Sequence, residues 1–324
     1  MGELGLDPGL DHISAMCMFN HVFREGGIIE SFRSFAGGLV ALESDDNPWH
    51  YKFSWNPKNV ILAGRGTAQF KANGRSYFVP YPRLFRDAYN IDIPKIGTFD
   101  WYPNRDSMLY IPRYDLQECP TVIRGTLRYP GFCRGWNALI ELGLTDPQSK
   151  LSRLDEISYE DLIRGIVHAA KDEDLILKLA KYLNIAPNDP IIYQLIHAGI
   201  LSTEYIPFAK ATPAEILENL LTKKWALKAG DKDRIVMHHE IVYRKKNKLF
   251  QLNSSLELIG QDHENTAMAR LVGLPLAIMA ELVMSKKVLR TTNLIPIETK
   301  VYQPIINRLG ELGIKFLEEE RILS

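Results

Sequence analysis

The sequence contains few cysteines. Three occur among its 324 residues, Cys17, Cys119 and Cys133, and no two of them have the CxxC spacing of a redox or zinc motif. A sparse, odd-numbered set argues against a disulfide framework and against a structural zinc site. We therefore expect reduced, buried thiols, no bound metal and a cytoplasmic protein.

The sequence also lacks a charge excess, a long apolar segment and a signal peptide. Lysine plus arginine and aspartate plus glutamate number 39 each, so the net charge does not point to nucleic acid or an anionic membrane. No apolar run reaches the roughly 18 residues of a transmembrane helix. The first residues, MGELG, contain neither the basic nor the apolar segment of a secretory signal. We expect no nucleic acid and no membrane among the partners.

Common catalytic motifs are absent as well. The phosphate-binding patterns GxGxxG and GxxxxGK do not occur between a strand and a helix, and the nucleophile motif GxSxG does not occur. His238-His239-Glu240 lies in a predicted strand, where neighbouring side chains face opposite sides of the sheet. These three residues are therefore not predicted to chelate one metal ion.

Sheet-like and helix-like segments are present and alternate along the chain. Turn-bounded β-branched and aromatic runs predict strands over 35–40, 66–70, 76–79, 96–101, 121–127, 233–243 and 249–259, with Asn73-Gly74 as the strongest hairpin signal. Apolar spacing predicts helices over 12–24, 136–142, 159–170, 174–183, 190–197, 213–225, 266–284 and 300–312. Asp7 is predicted to cap the first helix, and Thr212 is predicted to cap helix 213–225. Gly273 and Pro275 are predicted to interrupt helix 266–284.

These segments predict an α+β fold, a mixed β-sheet with flanking helices. Residues 31–134 and 226–295 are predicted to form the sheet domain, and residues 135–225 an all-helical subdomain inserted into it. Residues 1–30 form a turn and helix that enter the sheet domain. Residues 296–324 are predicted to end the chain with a helix.

Two arginines follow predicted strands. Arg105 comes just after predicted strand 96–101, and Arg128 directly follows predicted strand 121–127. Ligands of open α/β sheets bind beyond the carboxyl ends of the strands, and the forked guanidinium suits two-bond recognition of a carboxylate. A substrate with two or more carboxylates is one interpretation. The other, equally open, is that both arginines pair with acidic residues at the surface.

Five groups of motifs resemble the saccharopine dehydrogenase family, in the family's order and over nearly the whole chain. Each match alone is weak evidence, whereas five in order are specific. They lie in Gly5–His12, Gly37–Trp55, Tyr102–Ser107, Arg124–Phe132 and Thr266–Pro275.

The resemblance implies an NADP-dependent oxidoreductase of lysine metabolism, which interconverts saccharopine with L-glutamate and 2-aminoadipate 6-semialdehyde. It also implies a Rossmann domain, to which the C-terminal helix of residues 296–324 would return, an all-helical domain and a mixed-sheet domain. The last would resemble the C-terminal domains of dihydrodipicolinate reductase and glyceraldehyde-3-phosphate dehydrogenase. By the same resemblance, Arg105 and Arg128 hold carboxylates of saccharopine, and Thr126 and Leu127 lie around the second arginine.

The resemblance also implies a cofactor-proximal turn. Leu6 and Asp7 lie where substrate meets cofactor, and Gly5 to Asp7 contact NADP together with Trp55. Asp7 would attract the protonated secondary amine of the substrate. No residue is assigned as the proton donor, and His12 is interpreted as a structural residue.

Two departures from the family's pattern qualify these expectations. Ala36 precedes Gly37-Gly38-Leu39 where some members have a cysteine, so no role for that thiol is expected. The family's Rossmann domain precedes the turn at Gly5 and is not in this sequence. We therefore expect the main NADP site outside these residues, with a separate Rossmann-domain chain as one partner, and base rates favour a homodimer.

Three alternative functions stay open. The chain could be an amino-dicarboxylate-binding module without turnover, one half of a split enzyme, or a related imine reductase such as one that forms carboxynorspermidine or homospermidine. The YPNRDS and TLRY matches favour saccharopine over the polyamine substrates.

Overall fold

The structure is a computed structural model that describes residues 2–63, 66–288 and 295–323. The strands are β1 Ile28–Val40, β2 Ala68–Ala72, β3 Arg75–Val79, β4 Tyr89–Ile93, β5 Gly97–Pro103, β6 Thr121–Arg128, β7 Leu151–Ser152, β8 Lys210–Ala211, β9 Asp233–Lys245, β10 Lys248–Ile259 and β11 Leu317–Ile322. The helices are α1 Leu10–Arg24, α2 Pro57–Ile61, α3 Tyr81–Leu84, α4 Phe132–Glu141, α5 Tyr159–Val167, α6 Leu175–Tyr182, α7 Pro190–Ala198, α8 Pro213–Lys224, α9 Ala267–Met284 and α10 Thr299–Glu311.

A mixed sheet of nine strands, counted over the described residues, forms the centre of the fold. Its main path runs β11-β10-β9-β1-β6-β2-β3, and the β4–β5 hairpin joins it because β5 also pairs with β6. Strands β1 and β6 are parallel, whereas β9 pairs antiparallel with both β1 and β10. The predicted fold class, a mixed sheet with helices, is confirmed.

The two faces of the sheet have different covers. Helices α1, α9 and α10 pack on one face, where they contact apolar side chains of β1, β6, β9 and β10. The β4–β5 hairpin packs on the other face. Successive strand residues alternate between the faces, so Val122 of β6 lies under α1 and its neighbour Ile123 lies under the hairpin.

Helices α4 to α8 form a block around their own apolar core, which also includes Trp49, Tyr51 and Tyr102 from the sheet region. Thr212 caps α8 in a reciprocal bond with Glu215, as predicted. The block also contains the two-stranded sheet of β7 and β8, so the prediction that it is all-helical is wrong.

The predicted hairpin at Asn73-Gly74 is confirmed. Asn73 and Gly74 connect β2 to β3 with φ angles of 50° and 76°, a conformation that glycine and asparagine tolerate best. Strands β9 and β10 form the second long hairpin. Strands β4 and β11 were not predicted. All six residues of β11 are exposed and three are glutamates, so no period-two burial marks the segment.

The predicted N-cap of the first helix is wrong. Gly9 takes that position with a φ of 150°, and no side chain caps the helix. A Cβ at Gly9 would lie 2.2 Å from the carbonyl oxygen of Gly5, so the tight turn between them requires glycine. Asp11 instead accepts the Gly9 N–H at 2.6 Å, which leaves Asp7 free to face the sheet.

Helix α9 is continuous, so its predicted interruption at Gly273 and Pro275 is also wrong. The inner side chains, among them Leu271, Ile278 and Leu282, keep it packed on the sheet. By length and composition α9 could cross a membrane, with 33% of that stretch buried in the protein. A core helix of a soluble protein passes the same test, so the absence of a membrane partner stays a prediction.

The predicted domain boundaries stay predictions. Residues 289–294, which fall in the predicted range 226–295, lie outside the described residues, as do Met1, Gly64, Arg65 and Ser324. After α10 the chain returns to the sheet, because β11 pairs with β10.

Candidate functional site

One face of β6 presents polar residues at alternate positions. Arg124, Thr126 and Arg128 point to the helix-covered face, since side chains of a strand alternate. Ile123 and Leu127, between them, pack in the apolar cluster on the other face. The two arginines are four positions apart on the strand, roughly 13 Å along the backbone.

Strand β5 extends this polar face. Tyr102 pairs with Thr126, and the Tyr102 hydroxyl hydrogen-bonds the Thr126 side chain. The Asn104 N–H donates to the carbonyl oxygen of Arg124 at 2.8 Å. The two strands together therefore form one polar surface that runs from Arg124 to Arg128, and this candidate site is called the cleft below.

At one end of the cleft, Arg124 is neutralised by carboxylates. Its Nη2 donates to Asp7 and, at 2.5 Å, to Oδ2 of Asp11. The Asn104 side chain donates to the other oxygen of Asp7 at 3.1 Å, and the ring of Tyr110 lies 4.3 Å from the guanidinium carbon. Arg124 and Asp11 are buried, while the Asp7 side chain keeps 17% exposure.

The two carboxyl groups titrate differently. Burial raises the pKa of Asp7 to about 7 against the opposing charge of Arg124, and the neighbouring Asp11 adds to the rise. Burial also acts to raise the pKa of Asp11. Electrostatic interactions with His12 and Arg124 outweigh it, so the pKa of Asp11 falls to about 2. Asp7 is therefore the member of the pair that exchanges a proton near neutral pH.

A second layer of polar residues lies behind this pair. The Nδ1 of His12 is 2.5 Å from the hydroxyl of Tyr114, and its Nε2 is 2.7 Å from Oε2 of Glu3. The hydroxyl of Tyr110 donates to the same Glu3 oxygen at 3.4 Å. His12 is fully buried, and Glu3 is 29% exposed.

At the other end of the cleft, Arg128 is enclosed by aromatic rings. Its guanidinium carbon lies 5.2 Å from the ring of Tyr51, 5.3 Å from Phe132 and 5.8 Å from Tyr102. Its Nη1 donates to the Leu127 carbonyl oxygen at 2.8 Å, but its buried Nε has no hydrogen-bond partner among the described residues. No carboxylate in the described part of the chain forms an ion pair with Arg128.

Arg105 has a different environment. It is exposed, has a φ of 50°, and follows Asn104 at the Arg124 end of the cleft. Its carbonyl oxygen accepts the Gln69 N–H at 2.8 Å, which holds the backbone in place. Over residues 2–63, 66–288 and 295–323, its side chain makes no ion pair. The alternative interpretation, local pairing with acidic residues, therefore describes neither Arg105 nor Arg128.

The remaining predicted residues lie around the cleft with unequal access. Trp55 is 39% exposed, and its Nε1 donates to the hydroxyl of Tyr51 at 3.3 Å, beside the Arg128 end. The side chains of Leu6 and Leu127 are buried in separate apolar clusters, so only their backbone atoms can reach a ligand. Gly5 accepts the Leu10 N–H at 2.8 Å in the turn before α1.

Sequence reasoning missed the residues that surround the predicted ones. Arg124 lies in the Arg124–Phe132 motif, for which the resemblance implied no role at this position. Its spacing of two from Thr126 and four from Arg128 nevertheless places all three on one strand face. Asp11, Tyr51 and Tyr102 gave no local signal for this site, because they come from segments distant from β6 in sequence. Within the described residues, no group of three or more His, Cys, Asp or Glu side chains could hold a metal ion.

Comparison of the sequence with known proteins identifies a family and several relatives. The family model described as the saccharopine dehydrogenase C-terminal domain matches residues 5–314. The chain is 32% identical to the alpha-aminoadipic semialdehyde synthase of Arabidopsis thaliana over 98% of its own length and 32% of that protein. It is also 32% identical to the saccharopine dehydrogenase [NADP(+), L-glutamate-forming] of Schizosaccharomyces pombe, over 99% of the chain and 73% of the relative.

A solved structure has a similar fold. The apo histidine-tagged saccharopine dehydrogenase (L-Glu forming) from Saccharomyces cerevisiae aligns with a TM-score of 0.88 and 30% identity. The alignment covers 98% of this chain and 73% of that one. The chain thus spans about a third of the plant synthase and about three quarters of the fungal dehydrogenases.

Proposed function

The chain belongs to the saccharopine dehydrogenase C-terminal domain family, and from this premise we propose that its cleft binds saccharopine for an NADP-linked oxidation. The products are L-glutamate and 2-aminoadipate 6-semialdehyde, and the same cleft serves the reverse reductive condensation. The reaction belongs to lysine metabolism. This substrate meets the cleft's chemistry, since saccharopine carries three carboxylates and one secondary amine.

The observation that carries the proposal is the state of Arg128. A buried charge without a counter-ion is costly, so buried charges are paired in folded proteins. Arg128 is 3% exposed, has no carboxylate partner in the described residues, and keeps an unbonded Nε. A substrate carboxylate supplies the missing charge and can accept two parallel N–H bonds from the fork.

The opposite end of the cleft suits the remaining carboxylates. Arg105 follows Asn104 there, exposed and without an ion pair in the described residues. Thr126 lies between the two ends and is only half-buried, so its hydroxyl is available to an elongated ligand. A substrate with carboxylates at both ends therefore suits a cleft whose two ends lie roughly 13 Å apart along β6, with Arg105 and Arg128 as its carboxylate partners.

The proton chemistry falls to Asp7. Its carboxyl reaches the cleft, and its pKa of about 7 lets it exist in both forms near neutral pH. As a carboxylate it attracts the protonated secondary amine of saccharopine. It can accept the proton that this nitrogen must lose before oxidation, which leaves a neutral carboxyl beside Arg124.

The described residues fit one end of NADP and not the other. The glycine-containing turn into α1 carries Asp7 and Asp11, and their negative charge opposes a phosphate at that helix end. The exposed ring of Trp55 and the backbone of Gly5, Leu6 and Asp7 fit the uncharged nicotinamide end. When bound, NADP accepts or supplies the hydride.

A nucleotide-binding unit, in the same polypeptide or as a separate chain, is the partner we propose. Helix α9 exposes an apolar stripe that includes Val272, Leu276 and Val283. A methyl carbon of Val272 lies 3.8 Å from a Cβ built on Gly5, so the stripe borders the cofactor-facing turn. Leu276→Lys should weaken association with such a unit, whereas Leu317→Lys on the exposed edge strand should not.

Calorimetry tests the substrate assignment without requiring turnover. The chain should bind saccharopine more tightly than L-glutamate, which offers one carboxylate fewer. Equal affinity for both compounds would contradict the proposal. The chain alone should bind NADP weakly. A low-micromolar affinity would contradict the view that the phosphates of NADP are held by the nucleotide-binding unit.

Turnover forms the second arm of the test. Saccharopine and NADP are supplied to the chain together with the nucleotide-binding unit of a fungal relative. NADPH formation that requires both proteins supports the oxidoreductase assignment. Saccharopine binding without NADPH formation supports the alternative of a binding module.

We also propose a cytoplasmic location and a homodimer. The thiols of Cys17, Cys119 and Cys133 are free, as expected in a reducing compartment. The names of the animal relatives include the word mitochondrial, so fractionation of cells is the direct test. Sedimentation of the purified chain measures its oligomeric state.

A further inference from the structure

The cluster behind the cleft is one positive charge short. Asp7 and Asp11 are two carboxyl groups, and Arg124 is one guanidinium in contact with both. If both carboxyls ionise, the cluster holds a net charge of minus one in a largely buried place. Because such a charge is costly, an added proton must compensate it. The structure offers two places for that proton.

The first place is the carboxyl pair itself. Asp7 and Asp11 contact the same Nη2 of Arg124, so the two carboxyl groups repel each other when both are ionised and can share one proton. Asp11 is already committed, since it accepts from Gly9 at 2.6 Å and from Arg124 at 2.5 Å. The shared proton therefore resides on Asp7, which faces the cleft.

The second place is the imidazole of His12. Its Nδ1 lies 3.9 Å from Oδ1 of Asp11, so an imidazolium there compensates the pair electrostatically. Its Nε2 is 2.7 Å from Glu3, whose carboxylate stabilises the imidazolium and is 29% exposed to solvent. A proton on His12 thus makes a proton on Asp7 less necessary.

We propose that Glu3 and His12 are positioning residues that act through Asp11 to decide whether the cluster's compensating proton resides on His12 or on Asp7. Only the catalytic use of this proton rests on the proposed function, because the charge balance itself exists without a substrate. When the substrate ammonium gives its proton to Asp7, His12 gives one to solvent at Glu3. The net products are a neutral amine, a protonated Asp7, a neutral imidazole and one proton in solution.

Other groups around the cluster do not replace this balance. Two neutral side chains face the cluster, since Asn104 donates a hydrogen bond to Asp7 and the ring of Tyr110 lies over Arg124. Tyr114 contacts His12, and burial raises the pKa of its hydroxyl well above the ordinary value. From β9, His239 is also near, but burial lowers its pKa to about 3 and keeps it uncharged. Arg113 lies 3.7 Å from Glu3 at the surface.

The charge balance makes a prediction of unusual sign. Glu3→Gln removes a negative charge, and by direct field alone this would lower the pKa of Asp7. Through His12 the effect is opposite, because a less stable imidazolium leaves the carboxyl pair to hold the proton. We expect Glu3→Gln to raise the pKa of Asp7 by at least about half a unit.

Carboxyl-carbon NMR of the chain, titrated from about pH 5 to about pH 9, measures the pKa of Asp7 without requiring turnover. His12→Gln should raise the pKa of Asp7 as well, and adding Glu3→Gln to that variant should raise it no further. His50→Gln, which removes a surface histidine 2.6 Å from Asp45, is the matched control and should leave Asp7 unchanged. A lowered or unchanged pKa in Glu3→Gln, or the same rise in both backgrounds, would overturn the proposal.

Activity of the complex with a nucleotide-binding unit supplies a separate readout. Glu3→Gln should move the acidic limb of the kcat/KM profile in the direction of the Asp7 shift, with little change in the KM for saccharopine. If the NMR shifts occur and no turnover is found, the proposed function fails and the charge balance stands. If turnover is found and the shifts are absent, the reverse holds.

Discussion

Two arginines four residues apart on the same face of β6 have opposite surroundings. Arg124 contacts the carboxyl groups of Asp7 and Asp11 and the ring of Tyr110, and its carbonyl oxygen accepts a backbone hydrogen bond from Asn104. Arg128 lies among three aromatic rings, with one backbone carbonyl as its hydrogen-bond partner. The strand supplies the same side chain at both places, so the difference comes entirely from the segments that pack over it.

The comparison separates a structural charge from a binding charge. A buried cation that is neutralised within the chain fixes the position of its partners, here the turn before α1. A buried cation without an internal anion destabilises the free protein and favours an anionic ligand. The expected effects of mutation therefore differ in kind at the two ends of the cleft.

The largest expected effect is at the neutralised end. Arg124→Met leaves Asp7 and Asp11 buried without their cation, and the loss of one partner from such a network costs about 3–5 kcal/mol. We expect the free energy of unfolding at neutral pH to fall by that amount in urea denaturation. A loss below about 1 kcal/mol would put this network among ordinary surface ion pairs and would break the comparison.

Arg128→Met should separate binding from stability. It removes a charge that no described carboxylate compensates, so the stability of the free chain should be kept or increased. Saccharopine binding should weaken by about 2–5 kcal/mol, roughly 30- to 5000-fold. Calorimetry and urea denaturation of the same preparation give both values.

The control for Arg128 is a buried arginine on the other face of the sheet. Arg234 donates to Glu257 at 2.7 Å and to the hydroxyl of Tyr129 at 3.0 Å. Arg234→Met should reduce stability and leave saccharopine affinity unchanged. If Arg128→Met instead destabilises the chain as Arg124→Met does, the two ends are not different in kind.

A smaller, pH-dependent effect is expected for the carboxyl pair. The raised pKa of Asp7 means that the folded chain holds a proton between about pH 4 and 7 that the unfolded chain has released. Asp7 therefore costs stability progressively over that range, and Asp7→Asn should stabilise the chain at pH 8 by about 1–3 kcal/mol. The difference should vanish near pH 4.

Asp11→Asn should show the opposite sign. The pKa of Asp11 is lowered to about 2, so its contribution to stability is present above about pH 4 and is lost as pH falls towards 2. Denaturation curves of both variants across this pH range measure the contrast. If both substitutions change stability in the same direction at pH 8, the assignment of the shared proton to Asp7 is wrong.

The smallest effect is expected for Arg105. Its side chain is exposed, so a carboxylate bound there stays in contact with water, and such pairs contribute about 1 kcal/mol or less. Arg105→Ala should weaken saccharopine binding by no more than about fivefold. Arg86→Ala, another exposed arginine, serves as the control. A loss above about a hundredfold would mean that the bound complex encloses Arg105.

The local features of the fold could be predicted from sequence. Asn73-Gly74 specified a tight hairpin because few residues tolerate its backbone angles, and Thr212 with Glu215 specified a helix start. Strand β11 could not be predicted, because its glutamates are stable in a strand only where β10 offers an edge. Helix α9 continues through Pro275 because packing on the sheet outweighs the lost hydrogen bond.

The candidate site was predicted in part. Arg105 and Arg128 were predicted from their positions after strands, whereas the site roles of Thr126 and Asp7 came from the family resemblance, and the roles of all four residues stay predictions. The turn at Gly9 illustrates why Asp7 was misplaced as a helix cap. Asp11 accepts the free N–H of Gly9, and that bond is visible only once the turn has closed.

By itself the sequence determined the features that depend on short-range chemistry, namely the hairpin turn at Asn73-Gly74, the Thr212 cap, the alternation along β6 and the family to which these motifs point. The tertiary structure decided the electrostatic state of each buried group. Whether an arginine is neutralised or left for a ligand depends on which distant segment packs over it, and Asp7, Asp11, Tyr51 and Phe132 are remote from β6 or beyond its end in sequence. Burial then amplifies those neighbours, because charges interact more strongly where water is excluded.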